Sequence, residues 1–600
     1  MNWIFKTAEG DARALASSSG IGILTAVVCM NRGIKTSAEL ESFLNPRLET
    51  LTSPFKILDL EKAVDHLLSS QMELLPSNPT RKKLRVFTDY DVDGTTGAAL
   101  LTWFFRDLEF DFDVVQPDRF RDGYGLNPGA VKQAHEDGVN TLITVDCGIT
   151  NFEAADLASE LGIHLIIIDH HQVDPVRGIP KAFAVINPQR ADDTSGLKQL
   201  CGCALAFYLC IGIRSKARDQ YYFEKFKIKE PNLKNLLDLV VLATAADMVP
   251  LTGDNRTLVK HGLDILRKTD KPGLKALIKT AGIEVKTLSP SNLGFALGPR
   301  INASGRLGSA ETAYRVLTTK DPEEGLRLSQ ELELINSKRA EIQNLIWDEV
   351  RAEVTRGVEA GKFSHAVVVA SKNWHEGVVG IVASKVTDHF KRPAIVLSIR
   401  EDGLVKGSAR SYGGFDVLEG LHLTQALLKG YGGHKFAAGL SLDSKNLEAF
   451  TEQFNLRISE MVPSKSKDNL YLEGTCGLEE LSLDAITELE KLAPFGPGNP
   501  EPVFAIEAQI LLQSVLKGRH LKVKLQREPT GQESRQVSHQ ALRPVEAIWF
   551  NAAEKIEYTN LVEESGRLRK NCLLAGIPEV NRFLGRVTPT LRIKEAKSIY

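Results

Sequence analysis

Asp89, Asp91 and Asp93 stand at alternate positions in the stretch Leu84–Gly94, Leu-Arg-Val-Phe-Thr-Asp-Tyr-Asp-Val-Asp-Gly. Alternation along an extended chain puts every second side chain on one face. Three like charges on one face repel, so the arrangement calls for a cation. The glycine that follows allows a sharp turn. An Asp-rich surface turn or a calcium-type loop has the same local signature. Two further stretches repeat the event. Thr141–Val145 is an apolar, β-branched run ending in Asp146-Cys147-Gly148, and Leu161–Ile168 ends in Asp169-His170-His171. A fourth apolar run, Leu236–Ala246, ends in Asp247. Oxygen ligands joined by an imidazole suit Mg²⁺ or Mn²⁺, and the histidine tilts the choice toward Mn²⁺.

The elements that carry these acids read as buried strands of a parallel sheet with helical segments between them. Ligands of an open α/β sheet sit outside the carboxyl ends of its strands. Acids at three such ends therefore share one rim, although they are far apart in sequence.

The quartet Asp91-Val92-Asp93-Gly94, Val145-Asp146, Asp169-His170-His171 and Ala246-Asp247 resembles the four motifs of the DHH phosphoesterase superfamily. Within it, the chain is most similar to the bacterial exonucleases specific for single-stranded DNA. The resemblance implies that Asp91 and Asp146 hold one divalent cation, Mn²⁺ or Mg²⁺. A second would sit on Asp93, Asp146, His170 and Asp247, with Asp146 bridging the two. His171 would lie beside the scissile phosphate and hydrogen-bond or protonate its oxygen, and Asp169 would orient a neighbouring histidine. The implied substrate is single-stranded DNA with a 5′ end, hydrolysed 5′→3′ by a two-metal mechanism in recombination and repair. Helicases and single-strand-binding proteins are the implied partners. The alternative within the superfamily is a phosphodiesterase acting on nanoRNA or cyclic dinucleotides. A DNA-binding scaffold without chemistry is a further rival, and the complete set of competent ligands argues against it.

Six hundred residues exceed what one core holds and predict several domains. The composition, 43% hydrophobic and 25% charged, is that of an ordinary globular protein, and the net charge of −2 does not advertise a nucleic-acid partner. Basic grooves are local, however, and a whole-chain sum hides them. Seven scattered cysteines suit a reducing compartment, so a cytoplasmic protein is expected. Cys201-Gly202-Cys203 has no second pair at zinc spacing and reads as packing. No run reaches the ~18 apolar residues that a membrane span needs.

The fold expected is α/β and multidomain. A helical cap and linker occupy 1–80, a parallel-sheet DHH domain 81–320, and a connecting helix 321–362. A smaller α/β DHHA1 domain follows over 363–465, then a helical and Pro/Gly linker over 466–502 and an OB-like β-barrel over 503–600. The connecting helix rests on a sparse apolar stripe through Leu332, Ile335, Ile342, Ile346, Val350 and Val354. The linker is marked by four prolines and two glycines between Pro494 and Phe504. Residues 505–600 carry 16 Lys+Arg against 10 Asp+Glu, a local excess of +6 that fits a barrel tracking a single strand. The polar segment beyond about Arg527 departs from the family pattern.

Several other residues are suited to phosphate. Arg119 lies in a loop after a strand end, where a guanidinium beside a metal site grips phosphate with its planar fork; a solvated loop arginine is the other reading. In the related exonucleases this loop contacts the 5′ phosphate. Leu297–Gly308 holds three glycines, a proline and two arginines and reads as a loop. The resemblance turns it toward DNA, with Arg300 and Asn302 near the metals. Gly407-Ser408-Ala409-Arg410 and Gly432-Gly433-His434 resemble the DHHA1 domain, where Ser408, Arg410 and His434 fall at positions that bind substrate phosphate and backbone. Ordinary glycine turns are the alternative. A Rossmann site at Gly432–Gly439 is rejected, because no strand or acidic partner stands at the required place.

Overall fold

The computed structural model describes residues 2–7, 10–72, 83–461, 469–526, 544–552, 571–583 and 585–598. The expected linker before Lys83 and the polar segment after Gln526 lie mostly outside them. The chain forms two compact units, one of Thr52–Val249 with His261–Lys467, the other of Met1–Leu51, Pro250–Lys260 and Asp468–Tyr600.

The first unit is built on β1 (Lys83–Thr88), β2 (Phe112–Val115), β3 (Val139–Val145), β4 (His164–Ile168) and β5 (Ala184–Ile186). All pair in parallel, in the order β2-β1-β3-β4-β5. The chain runs from β1 outward to β2 and returns to β3 on the other side of β1. The strand order therefore reverses between β1 and β3, where ligands of such sheets bind. Side chains of β1, β3, β4 and β5 are mostly buried on both faces, which explains their continuous apolar runs, while the edge strand β2 is half-buried.

Two expectations are corrected here. Asp91 and Asp93 do not extend β1. The helix α1 (Val92–Asp107) starts between them, with Asp91 as its N-cap accepting from the Gly94 N–H. A Cβ on Gly94 would stand 2.4 Å from the Asp89 carbonyl oxygen, so this glycine permits close approach of helix to strand end. Gly298–Leu307 is likewise a helix and not a loop. Its Gly305 lies against β1's end, where a Cβ would be 3.1 Å from the Tyr90 carbonyl oxygen. Glycines used for packing imitate turn glycines in a sequence.

Between these lie α2 (Gly202–Asp219) and α3 (Leu237–Ala246), with α4 the Gly298–Leu307 helix. Both α2 and α3 pack on α1. The fourth apolar run is α3, buried all round as a core helix must be, and Asp247 reaches the rim from its C-terminal end. The long helix α5 (Pro322–Glu359), N-capped by Asp321, buries Leu328, Leu332, Ile346, Trp347, Val350 and Val354.

The DHHA1-like sheet contains β6 (Val367–Ser371), β7 (Ala394–Ile399), β8 (Leu404–Arg410), β9 (Leu428–His434) and β10 (Ala437–Asp443), ordered β9-β10-β8-β7-β6. Only β6 and β7 are parallel, with α6 (Val379–Phe390) between them. The glycine-rich segment ending at Gly439 is the β9–β10 hairpin, and Gly439 pairs opposite Ser408.

In the second unit five strands close a barrel, Phe504–Leu516, His520–Gln526, Val545–Trp549, Arg586–Ser598 and Asn571–Phe583, the last pairing back on the first. Leu521, Val523 and Leu525 point inward at alternate positions, as the sequence alternation predicts. Leu15, Leu24, Val28 and Leu40 share the barrel's hydrophobic core with Trp549 and Leu574. The N-terminal region is thus divided, because the Leu60–Met72 helix packs on α2 in the first unit. No single helix among the described residues is long and apolar enough to cross a membrane.

Candidate metal centre and anion groove

The ends of β1, β3 and β4 bring their acids together as neighbours on one rim. Asp146 follows β3 in the left-handed region, with φ of 62°. Asp tolerates that region better than most residues. Its N–H donates to the Ile168 carbonyl oxygen and its carboxylate faces His170. His170 Nε2 lies 3.2 Å from Asp146 Oδ1, 3.7 Å from Asp93 Oδ2 and 3.7 Å from Asp247 Oδ2. Three sets of side chains converge to within 4.8 Å: Asp93, His170 and Asp247; Asp89, Asp91 and Asp146; and Asp146, His170 and His171.

This cluster is unfavourable by itself. Burial, then the neighbouring carboxylates, push Asp89, Asp146 and Asp247 well above the usual carboxylate range. Burial also raises Asp93. Asp89 Oδ1 is buried without a hydrogen-bond partner among the described residues. An orphaned carboxylate oxygen beside Asp91 and Asp146 is what a hard cation would satisfy. The donor set of oxygens with one or two imidazoles fits Mn²⁺ or Mg²⁺.

Neighbouring groups hold these ligands rather than competing for the cation. Asp93 accepts from the N–H groups of Gly202 (2.6 Å) and Cys203 (2.9 Å) at the start of α2, where helix amides favour an anion. Gly202 is required there, because a Cβ would meet Asp146 Cβ at 2.9 Å and Asp93 Oδ2 at 3.0 Å. The flanking Cys201 and Cys203 are buried and unpaired. Asp169 accepts four hydrogen bonds, from the N–H groups of Ile149, His170 and His171 and from His171 Nδ1 at 2.7 Å. Burial disfavours charge on both partners, yet this bond outweighs it, lowering Asp169 and lifting His171 to about 9.

A groove of about 1090 Å³ runs from these acids to the DHHA1-like sheet, lined also by Arg119, Arg306, Ser408, Arg410 and His434. Arg119 lies over the Tyr90 ring, 5.2 Å from its centroid. Arg410 donates to Ser384 Oγ (3.1 Å), Ser408 Oγ (2.5 Å) and its neighbour's carbonyl oxygen (2.8 Å). Arg306 donates to the Gly377 carbonyl oxygen at 3.3 Å. Burial, with Arg119, Arg339 and Arg410 adding repulsion, pushes Arg306 down to about 10. Burial and Arg119 lower Arg410 in the same way. Among the described residues none of Arg119, Arg306 and Arg410 is ion-paired to a side chain. Three arginines that keep their guanidinium charge out of direct ion pairs in one groove form an anion site.

Single-stranded-DNA-specific exonuclease RecJ of Escherichia coli (strain K12) is 36% identical to this chain over 514 residues, covering 84% of this chain and 86% of that protein. The Bacillus subtilis (strain 168) RecJ is 31% identical over 608 residues, 99% of this chain and 71% of that protein. The chain belongs to the RecJ family. Its parts match separate domain models: the DHH family N-terminal domain over 83–244, the DHHA1 domain over 362–460 and the RecJ OB domain over 472–595. The crystal structure of RecJ in complex with Mn²⁺ from Thermus thermophilus superposes with a TM-score of 0.80 at 26% identity, covering all of this chain and 80% of that one.

Most of the residues singled out by sequence line the groove of this RecJ-family chain, and Asp93, although not part of its lining, joins them through His170 and Asp247; two do neither. Arg300 donates to Glu333 Oε2 at 2.5 Å and to the Ala296 carbonyl oxygen, and does not line the groove. Asn302 also lies off it, with a buried Oδ1 lacking a partner among the described residues. Arg306, on the same helix, lines it instead. Spacing assigned no role to Tyr124 or Gln116 and left that of Asp89 open. Tyr124 donates to the Asp146 carbonyl oxygen at 3.3 Å, and Gln116 Nε2 donates to the Asp89 carbonyl oxygen at 3.0 Å.

Proposed function

We infer that this chain is a metal-dependent, single-stranded-DNA-specific exonuclease that hydrolyses phosphodiester bonds 5′→3′ in recombination and repair. One observation carries the reading beyond family membership: three arginines with no side-chain ion pair among the described residues share one groove with an acid–imidazole cluster. Asp91, Asp146 and Asp89 are assigned to one cation, and Asp93, Asp146, His170 and Asp247 to the other, with Asp146 the bridge. When bound, Mn²⁺ or Mg²⁺ there supplies an activated water and charge stabilisation on the phosphate oxygens.

The chain's own residues do the rest. Arg119, Arg306, Arg410 and the Ser408 hydroxyl bind the terminal 5′ phosphate, and His434 contacts the strand beside them. Holding that end sets the polarity, since the bond beyond it is the one presented to the acids. Asp169 holds His171 Nδ1, which leaves Nε2–H free to donate to a phosphate oxygen, and the raised pKa keeps it protonated at neutral pH. The barrel, basic by sequence, tracks the rest of the strand. Proteins that expose or cover single strands, helicases and single-strand-binding proteins, are the expected partners. The seven buried, unpaired cysteines support a cytoplasmic location.

The test is digestion of a single-stranded oligomer in Mn²⁺, labelled at the 5′ or the 3′ end. Immediate release of labelled mononucleotide from the 5′ end, with gradual shortening seen from the 3′ label, is expected. Intact long DNA with hydrolysed dinucleotides would instead assign the chain to small substrates.

A further inference from the structure

The arginine-bearing loop Pro117–Gly125 contains no helix or strand. It is tied internally, since Asp118 Oδ1 accepts from the N–H groups of Phe120 and Arg121, and Asp122 Oδ2 accepts from that of Asp118. These bonds fix its shape but not its position against the DHHA1-like sheet. That position depends on Phe120, whose ring meets the His375 ring edge-on, with centroids 5.7 Å apart at 87°. An edge-to-face pair at this spacing is attractive and directional.

His375 is itself held. Its Nδ1 accepts from the Gly377 N–H at 3.1 Å. The preceding Trp374 is buried, donates to Glu349 Oε2 of α5 at 2.7 Å, and its carbonyl oxygen accepts from Ser398 Oγ. The same turn touches the second groove arginine. A Cβ on Gly377 would stand 2.0 Å from the Arg306 carbonyl oxygen, and the Gly377 carbonyl oxygen accepts from Arg306 Nη1. One rigid turn, Trp374–Gly377, therefore sets two arginines that come from separate segments.

We propose that the Phe120–His375 contact is a specificity device, in which both rings are positioning residues that hold Arg119 for a terminal 5′ phosphate. This rests on the terminal-phosphate reading above. Without the contact, the loop keeps its internal bonds and Arg119 its place over the Tyr90 ring, but nothing fixes the loop's distance from the turn that holds Arg306. Discrimination between phosphorylated and hydroxyl 5′ ends then falls, mostly through KM. Misplacement of a binding group by about 1 Å can cost up to ~100-fold, so a loss of roughly tenfold is expected from truncating either ring.

The experiment compares kcat and KM on single-stranded oligomers with 5′-phosphate or 5′-hydroxyl ends, in Mn²⁺. The full-length proteins are wild type, Phe120→Ala, His375→Ala, the double variant, His375→Phe and Arg119→Ala, with melting temperatures to confirm folding. Phe120→Ala and His375→Ala should each lose the preference, and the double variant should lose no more than either alone. His375→Phe, which keeps a ring edge, should retain most of it. Preference lost in Arg119→Ala but intact in both ring variants overturns this inference alone, as does a double variant equal to the product of the singles. A wild type indifferent to the 5′ end, or an Arg119→Ala protein that keeps the wild-type preference, defeats the terminal-phosphate reading and this inference with it.

Discussion

Asp169 Oδ1 lies 2.7 Å from His171 Nδ1, and the same oxygen accepts the backbone N–H groups of His170 and His171. All four hydrogen bonds to this carboxylate come from its own rim, so it shapes the histidine pair without facing the cation sets. Asp169→Asn keeps the side chain's size but loses its charge and one acceptor oxygen. We expect kcat to fall ~100-fold or more, as when an orienting acid is removed from a proton-donating histidine. Bound manganese, counted by elemental analysis, should stay near wild type. Asp146→Ala, by contrast, should lose both metal and activity. Loss of metal from Asp169→Asn would place this residue among the ligands.

Binding of the cation should release protons. Burial and mutual repulsion raise Asp89, Asp93, Asp146 and Asp247 above their unfolded values, close to 4 in model peptides. A carboxyl whose folded pKa is raised destabilises the fold once pH exceeds the unfolded value. His171, raised to about 9, adds stability below its unfolded pKa that is lost as pH climbs through 9. Both effects have the same sign. The melting temperature of the metal-free protein should therefore fall as pH rises from about 4 toward 9. Saturating Mn²⁺ should restore more stability at pH 8 than at pH 6. Calorimetric titrations in buffers of different ionisation enthalpy should report the protons directly.

Arg306 is held at a cost to the free protein, buried beside Arg119, Arg339 and Arg410, whose repulsion and the burial outweigh the attraction of Asp91. Replacing a buried, poorly compensated charge by an apolar side chain is often neutral or stabilising by ~1–4 kcal/mol. Arg306→Met should thus raise the melting temperature while increasing KM for 5′-phosphorylated strands at least tenfold, on the order expected for losing a charged hydrogen-bonding partner. A fall in stability would mean that the Gly377 contact outweighs the repulsion.

Gly202→Ala tests the seat of the bridge. Its methyl group would crowd Asp146 and Asp93 at about 3 Å, and overpacking of this kind costs ~1–3 kcal/mol. The effect on the site should be larger than on the fold. Manganese affinity, measured by titration, should drop at least tenfold while the protein still melts cooperatively. Unaltered affinity would show that α2 can retreat without moving its two carboxylate partners.

The strands that end in Asp146 and in Asp169 were legible from local pattern alone, whereas Asp91 and Asp93, read as extended, stand at the start of a helix. β-branched runs ending in Asp146 and in Asp169-His170-His171 are buried parallel strands, and their C-terminal ends lie side by side because the sheet order places them so. The long helix and the inward alternation of the barrel's second strand were legible for the same reason, since period and burial are properties of neighbouring residues. What local pattern could not separate was a glycine that turns from a glycine that packs. The Gly298–Leu307 helix therefore read as a loop, and Arg300 rather than Arg306 was placed near the metals. Six residues along a helix rotate by roughly 600°, so the two arginines face different ways. One pairs with Glu333 and the other enters the groove. The inclusion of Asp89 with Asp91 and Asp146, and the meeting of Arg119, Arg306 and Arg410, were decided only by tertiary structure. Each brings together segments tens to hundreds of residues apart, and sequence spacing holds no distance between them.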